Sequence, residues 1–100
     1  MLWTIFCVDK PDTAAIRASV LQPHRDYLQS RKDILVLSGP TQSDDGAEAI
    51  GSLFLINVNS RAEAKAFSDS DPFTQNGVFK SITITRMRKG QWNPGAAEGA

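Results

Sequence analysis

The chain has little of what usually announces a chemistry. It carries one cysteine and one histidine in 100 residues. A lone cysteine, Cys7, excludes an internal disulfide and a cysteine-rich zinc site, and it suits a reducing compartment. One histidine and no second thiol leave no metal-ligand cluster, so no metal is expected. Charge of one sign is also missing: eleven basic residues meet eleven acidic ones. Without a basic surface, neither nucleic acid nor an anionic membrane is expected as a partner. No apolar run approaches the roughly 20 residues that span a bilayer. Asp9 and Lys10 interrupt the apolar start too early for a secretory leader, which gives a soluble, cytoplasmic expectation. No Gly-x-Gly or Gly-Lys-Ser/Thr precedes a helix, so Gly39–Pro40 and Gly46 do not form a phosphate loop, and no cofactor is expected. Gly51–Ser52 opens a strand and is no nucleophile elbow.

What is present reads as one globular domain. Apolar residues make up 41% of the chain and charged residues 22%, outside the range of disordered chains. "LWTIFCV" (2–8) is rich in β-branched and aromatic residues and reads as a strand. "DKPD" ends it, with Asp12 or Thr13 placed to cap a helix over 13–22 that carries Ile16, Val20 and Leu21 at helical spacing. Pro23 either opens a second helical segment or kinks one long helix, and Tyr27 and Leu28 continue the stripe. "DILVLSGP" (33–40) is a second strand and "GSLFLINV" (51–58) a third, joined by polar turn residues. Asn59 or Ser60 caps a helix over 61–70, with Ala62, Ala66 and Phe67 as its expected buried side. A capped turn or short helix (71–77) leads to the last strand, 78–88. Residues 89–100 are turn-rich and expected to be partly disordered, so the domain is placed at 1–88.

The order β-α-β-β-α-β gives an α+β class, the ferredoxin-like split βαβ arrangement: a four-stranded antiparallel sheet with two helices on one face. Alternation assigns side chains to faces. In the first strand Leu2, Phe6 and Val8 oppose Trp3, Ile5 and Cys7. In the third, Leu53 and Leu55 oppose Phe54, Ile56 and Val58. In the fourth, Val78, Ile82 and Ile84 oppose Phe79, Ser81, Thr83 and Thr85. Strands apolar on both faces belong inside a layered structure, and a bare apolar sheet exceeds the patch size usual for monomers. A second subunit laid sheet to sheet, as a homodimer, is the expectation. The Ser/Thr side of the last strand would make the space between the sheets partly polar, which suits a small-molecule cavity; equally, threonine simply favours strands.

His24 lies four residues after Val20 and four before Leu28, on the buried stripe of a helix. It is either a core histidine satisfied by a hydrogen bond or a functional group. The candidate acids are Asp69 and Asp71. Asp71–Pro72 is a common helix start, aspartate at the cap and proline at the first helical position. Capping and pairing can coexist, because a carboxylate has two oxygens. An aspartate beside a histidine fixes the tautomer and stabilises the imidazolium, making a general acid/base pair. Ser52 could face a pocket or be a plain strand serine. Tyr27 is a core aromatic or a pocket hydroxyl, and Arg17 an anion-binding group or a solvated helix residue. Cys7, in mid-strand, reads as a small buried hydrophobe rather than a nucleophile.

The segments His24-Arg-Asp-Tyr27-Leu28, "LVLSGP" ending at Gly39–Pro40, "GSLFLI" from Gly51, and Asp71-Pro72-Phe73 followed by "GVF" from Gly77 resemble, in order and spacing, the YciI-like (YCII-related) proteins over residues 2–88. The resemblance implies a ferredoxin-like fold that dimerises sheet to sheet into an α/β barrel. It also implies a site made by a histidine of the first helical region and an aspartate before proline, which map onto His24 and Asp71. One activity class in that family is dehydrochlorination of a chlorinated hydroxyquinol. The chain departs from the commonest pattern in Cys7 and in its extended tail. The wider α/β-barrel group adds haem binding, which would need His24 as axial ligand. Two functions follow. The first is a cofactor-independent enzyme in which His24 and Asp71 carry out proton abstraction or elimination on a small molecule, with Ser52, Tyr27 and Arg17 as substrate-binding groups. The second is a non-catalytic dimeric small-molecule-binding or accessory domain.

Overall fold

The computed structural model describes residues 1–100. Its strands are β1 (Leu2–Asp9), β2 (Leu35–Gln42), β3 (Ala49–Asn57) and β4 (Phe79–Met87). Its helices are α1 (Ala14–Ser19), α2 (Leu21–Ser30), α3 (Arg61–Asp69) and α4 (Pro72–Gln75), and a 3₁₀ turn covers Pro94–Ala97 in the tail. The sheet order is β2-β3-β1-β4, with every neighbouring pair antiparallel. This is the expected βαββαβ ferredoxin-like arrangement, with the first helical region split in two. The break falls at Val20 rather than at Pro23. Pro23 sits in the first turn of α2, where its missing N–H costs no intrahelical bond. No helix is long and apolar enough to cross a membrane.

The two central strands carry the core. Trp3, Ile5 and Cys7 of β1 pair with Ile56, Phe54 and Ser52 of β3, and all six are buried. They meet Ala64 and Phe67 of α3, Phe73 of α4, and Val78 and Phe79 at the start of β4. The opposite face carries Phe6, Val8, Leu37, Leu53 and Leu55, paired across the same strands. Phe6 is 46% exposed and Leu37 60% exposed. The two-sided reading of β1 and β3 therefore holds, and in one chain the second face meets solvent.

Four local readings are corrected. Phe79 does not share the open face with Ser81, Thr83 and Thr85. The β1–β4 register shifts between Val8 and Asp9, so that Asp9 pairs with Phe79 and an extra residue is taken up in β4. Such a bulge reverses the alternation beyond it, and Phe79 turns into the core against Phe73. In α3 the buried residues are Ala64, Phe67 and Ser68, while Ala62 and Ala66 face solvent. The second strand begins at Leu35, because 31–34 complete the turn out of α2. Asp12 does not cap α1: it takes a left-handed conformation at φ 60°, and the Thr13 hydroxyl donates to the Lys10 carbonyl instead. Ser60, by contrast, caps α3 by accepting from the Glu63 N–H, while Glu63 accepts from the Asn59 N–H one residue before the cap.

A candidate active site between the first helices and the sheet

Two helix starts place the central pair. The Val20 junction begins α2, and its first turn sets His24 over the sheet, with the His24 N–H donating to the Val20 carbonyl. The end of α3 runs through Ser70 into Asp71, the N-cap of α4, with Pro72 at the first helical position. The Asp71 carboxylate accepts from the Phe73 N–H at 2.9 Å and lies 2.7 Å from His24 Nδ1, both through Oδ1. Capping and pairing do coexist, on one oxygen rather than two. Asp71 is 1% exposed and His24 8%. A capping carboxylate is an acceptor, so the neutral ring carries its proton on Nδ1 and leaves the Nε2 lone pair free. The ring is held flat on Phe73, centroids 3.7 Å apart, with its edge toward Phe54.

A cavity of about 230 Å³ opens at this ring, lined among others by Arg17, Leu21, Ser38, Ser52, Phe54 and Phe73. It lies on the helix side of the sheet, bounded by α1, α2 and the β2–β3 half. The expected cavity between two sheets is thus not where the candidate groups converge. The reason is register: Ser52 pairs with Cys7 on the covered face.

Arg17 joins the site through a network that the sequence reading did not contain. Its Nε and Nη2 bind both oxygens of Asp9, at 2.7 and 3.0 Å. Nη2 also reaches the Gly51 carbonyl at 2.7 Å and Ser52 Oγ at 3.0 Å. The guanidinium covers the Phe73 ring, 4.8 Å from its centroid. Since Ser52 Oγ accepts from Arg17, the Ser52 proton is available to an acceptor in the cavity. Gly51 is required where β1 and β2 close on β3, because a Cβ there would clash with the Cys7 carbonyl oxygen and Thr41 Oγ1. In the sequence Asp9 reads as a strand-end charge. Its signal was the arginine eight residues on, across a tight turn from strand to helix.

Tyr27 stands apart from these groups. It packs on Phe67 and donates its hydroxyl to the Phe67 carbonyl at 2.8 Å, and it does not line the cavity. Burial pushes its phenol up, with Arg31 opposing. Asp69 likewise lies outside, paired with Lys65 on the exposed face of α3. Cys7 is fully buried, and burial, reinforced by the Asp71 and Asp9 carboxylates against the opposing Arg17, pushes its thiol up to about 12. It behaves as a small hydrophobe, not a nucleophile.

No group of three or more histidine, cysteine or acidic residues is placed to hold a metal. Haem does not fit this site: the cavity of about 230 Å³ falls below the roughly 300–1,000 Å³ of pockets for drug-sized ligands, and a single ring is closer to its scale.

Residues 1–88 match the YCII-related domain family. Protein YciI of Escherichia coli O6:H1 is 31% identical over 96 residues, a match covering 89% of this chain and 98% of that protein. Protein YciI of Shigella flexneri matches equally. Among solved structures, 5-chloro-2-hydroxyhydroquinone dehydrochlorinase from Burkholderia phenoliruptrix AC1100, in complex with 2,5-dihydroxybenzoquinone, superposes with a TM-score of 0.83 at 29% identity, covering 90% of this chain and 96% of that one. An antibiotic biosynthesis monooxygenase, at TM-score 0.53 and 17% identity over 89% and 98% of the two chains, shares the fold alone.

Proposed function

The chain belongs to the YCII-related family, and from that premise we propose that it is a cofactor-independent acid/base enzyme acting on a small molecule in the His24 cavity. The observation that carries this is the buried His24–Asp71 contact at 2.7 Å, with Nε2 left without a protein partner at the cavity. In this reading Nε2 takes a proton from the bound molecule, and Asp71 orients the ring and stabilises the imidazolium that forms. Ser52, backed by the Arg17 cation, donates to a substrate oxygen on which negative charge develops. Electrons released at the broken X–H bond either remain as an enolate, which is reprotonated elsewhere, or expel an anion such as chloride. In the first course the imidazolium gives its proton to the enolate carbon or oxygen; in the second it releases it to solvent as the anion departs, so neither course needs an oxidant or a reductant. A relative of similar structure is a dehydrochlorinase, which makes elimination the first reaction to try. The bare face bearing Phe6 and Leu37 supports a sheet-to-sheet homodimer as the working unit.

The other reading, a non-catalytic binding domain, has one observation in its favour: Asp71 also caps α4, which is a structural task. Two assays separate them: chloride release from 5-chloro-2-hydroxyhydroquinone, and solvent-deuterium incorporation into 2,5-dihydroxybenzoquinone. The enzyme reading expects at least one to run above the buffer rate and to fall at least about a hundredfold in His24→Ala, the lower bound for a general base. Rates equal in wild type and His24→Ala overturn it.

A further inference from the structure

The charges around the cavity are sorted by sign. Three residues able to carry positive charge line it, Arg17, His24 and Arg25, and no carboxylate does. The two carboxylates that balance this group, Asp9 and Asp71, sit behind Arg17 and His24 and bind their far sides. Arg25 is different. It follows His24 on α2, is exposed, and has no carboxylate partner. The nearest acid in sequence, Asp26, accepts instead from Gln22. A molecule in the cavity therefore meets the cationic end of the Arg17–Asp9 ion pair, the neutral His24 ring and one unpaired arginine at the mouth, in a chain of formal net charge +0. A low-dielectric wall focuses such a field on the ligand.

Resting on the reading of this cavity as the ligand site, we infer that it selects anions. The ligand is a ring of single-ring size carrying a carboxylate or an ionised hydroxyl, and Arg25 is the specificity-determining residue that recognises the charge. The ring lies among Leu21, Leu28, Phe54 and Phe73, and the anionic group points outward to the Arg25 guanidinium, which suits planar oxyanions. Arg25 has no structural partner to lose, so Arg25→Gln leaves the fold and the His24–Asp71 contact intact.

The test uses two probes of the same ring, neutral hydroquinone and anionic 2,5-dihydroxybenzoate. Binding is read from the His24 ring signals in NMR, which are unambiguous in a chain with one histidine. The expected result is that the anion binds about fivefold more tightly, the scale of one charge pair near water, and that added salt shrinks the gap. In Arg25→Gln the two probes bind alike. Equal binding in the wild type, or a preference that survives in Arg25→Gln, overturns the role of Arg25. If neither probe moves the His24 signals at millimolar concentration, the cavity itself is not the ligand site and both readings fall. Turnover in His24→Ala is a separate readout, so failure of the Arg25 role with the cavity still occupied is distinguishable from failure of the catalytic reading.

Discussion

Asp71 offers a prediction in which two variants at one position must behave differently. One oxygen of its carboxylate serves two buried donors, the Phe73 N–H at the start of α4 and His24 Nδ1. Asp71→Ala leaves both donors without their shared acceptor. Losing the helix cap costs about 1 kcal/mol. Leaving the imidazole N–H unpaired in a buried site costs about 1–3 kcal/mol more, so the variant should lose about 2–4 kcal/mol. Asp71→Asn keeps an oxygen in the place of Oδ1, so both donors retain an acceptor. What goes is the charge assistance, which makes a bond roughly twice as strong as its neutral counterpart, a loss of about 1 kcal/mol. Turnover follows a different order: both variants lose the carboxylate that stabilises the imidazolium, so both should be inactive. The assay is urea denaturation with unchanged m-values, run beside the two turnover assays. If Asp71→Asn destabilises as much as Asp71→Ala, the shared-oxygen geometry is wrong. If Asp71→Asn keeps full turnover, Asp71 only caps.

Two further predictions rest on features away from that pair. The Cys7 thiol, raised from 9.0 to about 12 chiefly by burial, holds its proton more tightly folded than unfolded. Its contribution to stability is therefore whole below pH 9 and is lost as the pH rises toward 12. The native protein should not react with Ellman's reagent at pH 8 whereas the urea-unfolded chain should, and alkaline destabilisation should be shallower in Cys7→Ala; a fast native reaction contradicts the burial. The open sheet face supplies the other. Phe6→Asp places a charge in the middle of the bare apolar surface without touching the covered side, so sedimentation should show wild-type dimers and variant monomers of native fold; a wild-type monomer, or a dimer unaffected by the variant, refutes sheet-to-sheet association.

The strands and their two faces were legible because period-two alternation needs only residue type. Trp3, Ile5 and Cys7 against Phe6 and Val8 follow from residue type alone, as do the start of α3 at Asn59 or Ser60, of which Ser60 is the cap, and the Asp71–Pro72 start of α4. What failed were places where one inserted residue changes the phase. The bulge opposite Val8 and Asp9 carried Phe79 from the expected open face into the core, and nothing in the local composition marks it. The helix stripe of α3 was misplaced because its alanines are interchangeable by type, so the choice among Ala62, Ala64 and Ala66 is made by the packing against the sheet. His24 and Asp71 could be named as candidates, but they come together only through the α3–α4 turn, 47 residues away in sequence. The Arg17–Asp9–Ser52 network and Arg25 were not assembled for the same reason. Their geometry depends on which strands lie side by side, and Tyr27, which looked equally eligible, is turned by its helix onto Phe67.

The central claim is that His24 presents an unprotonated Nε2 to the cavity because Asp71 holds the proton on Nδ1. Nitrogen-15 NMR of the single histidine reads this directly in the neutral ring. The account predicts the Nδ1–H tautomer in the wild-type protein, with Nε2 showing the shift of a bare acceptor nitrogen, and loss of that preference in Asp71→Ala. A neutral ring protonated on Nε2, or a tautomer balance unchanged by Asp71→Ala, would mean that the two residues do not work as a pair and that no base faces the cavity.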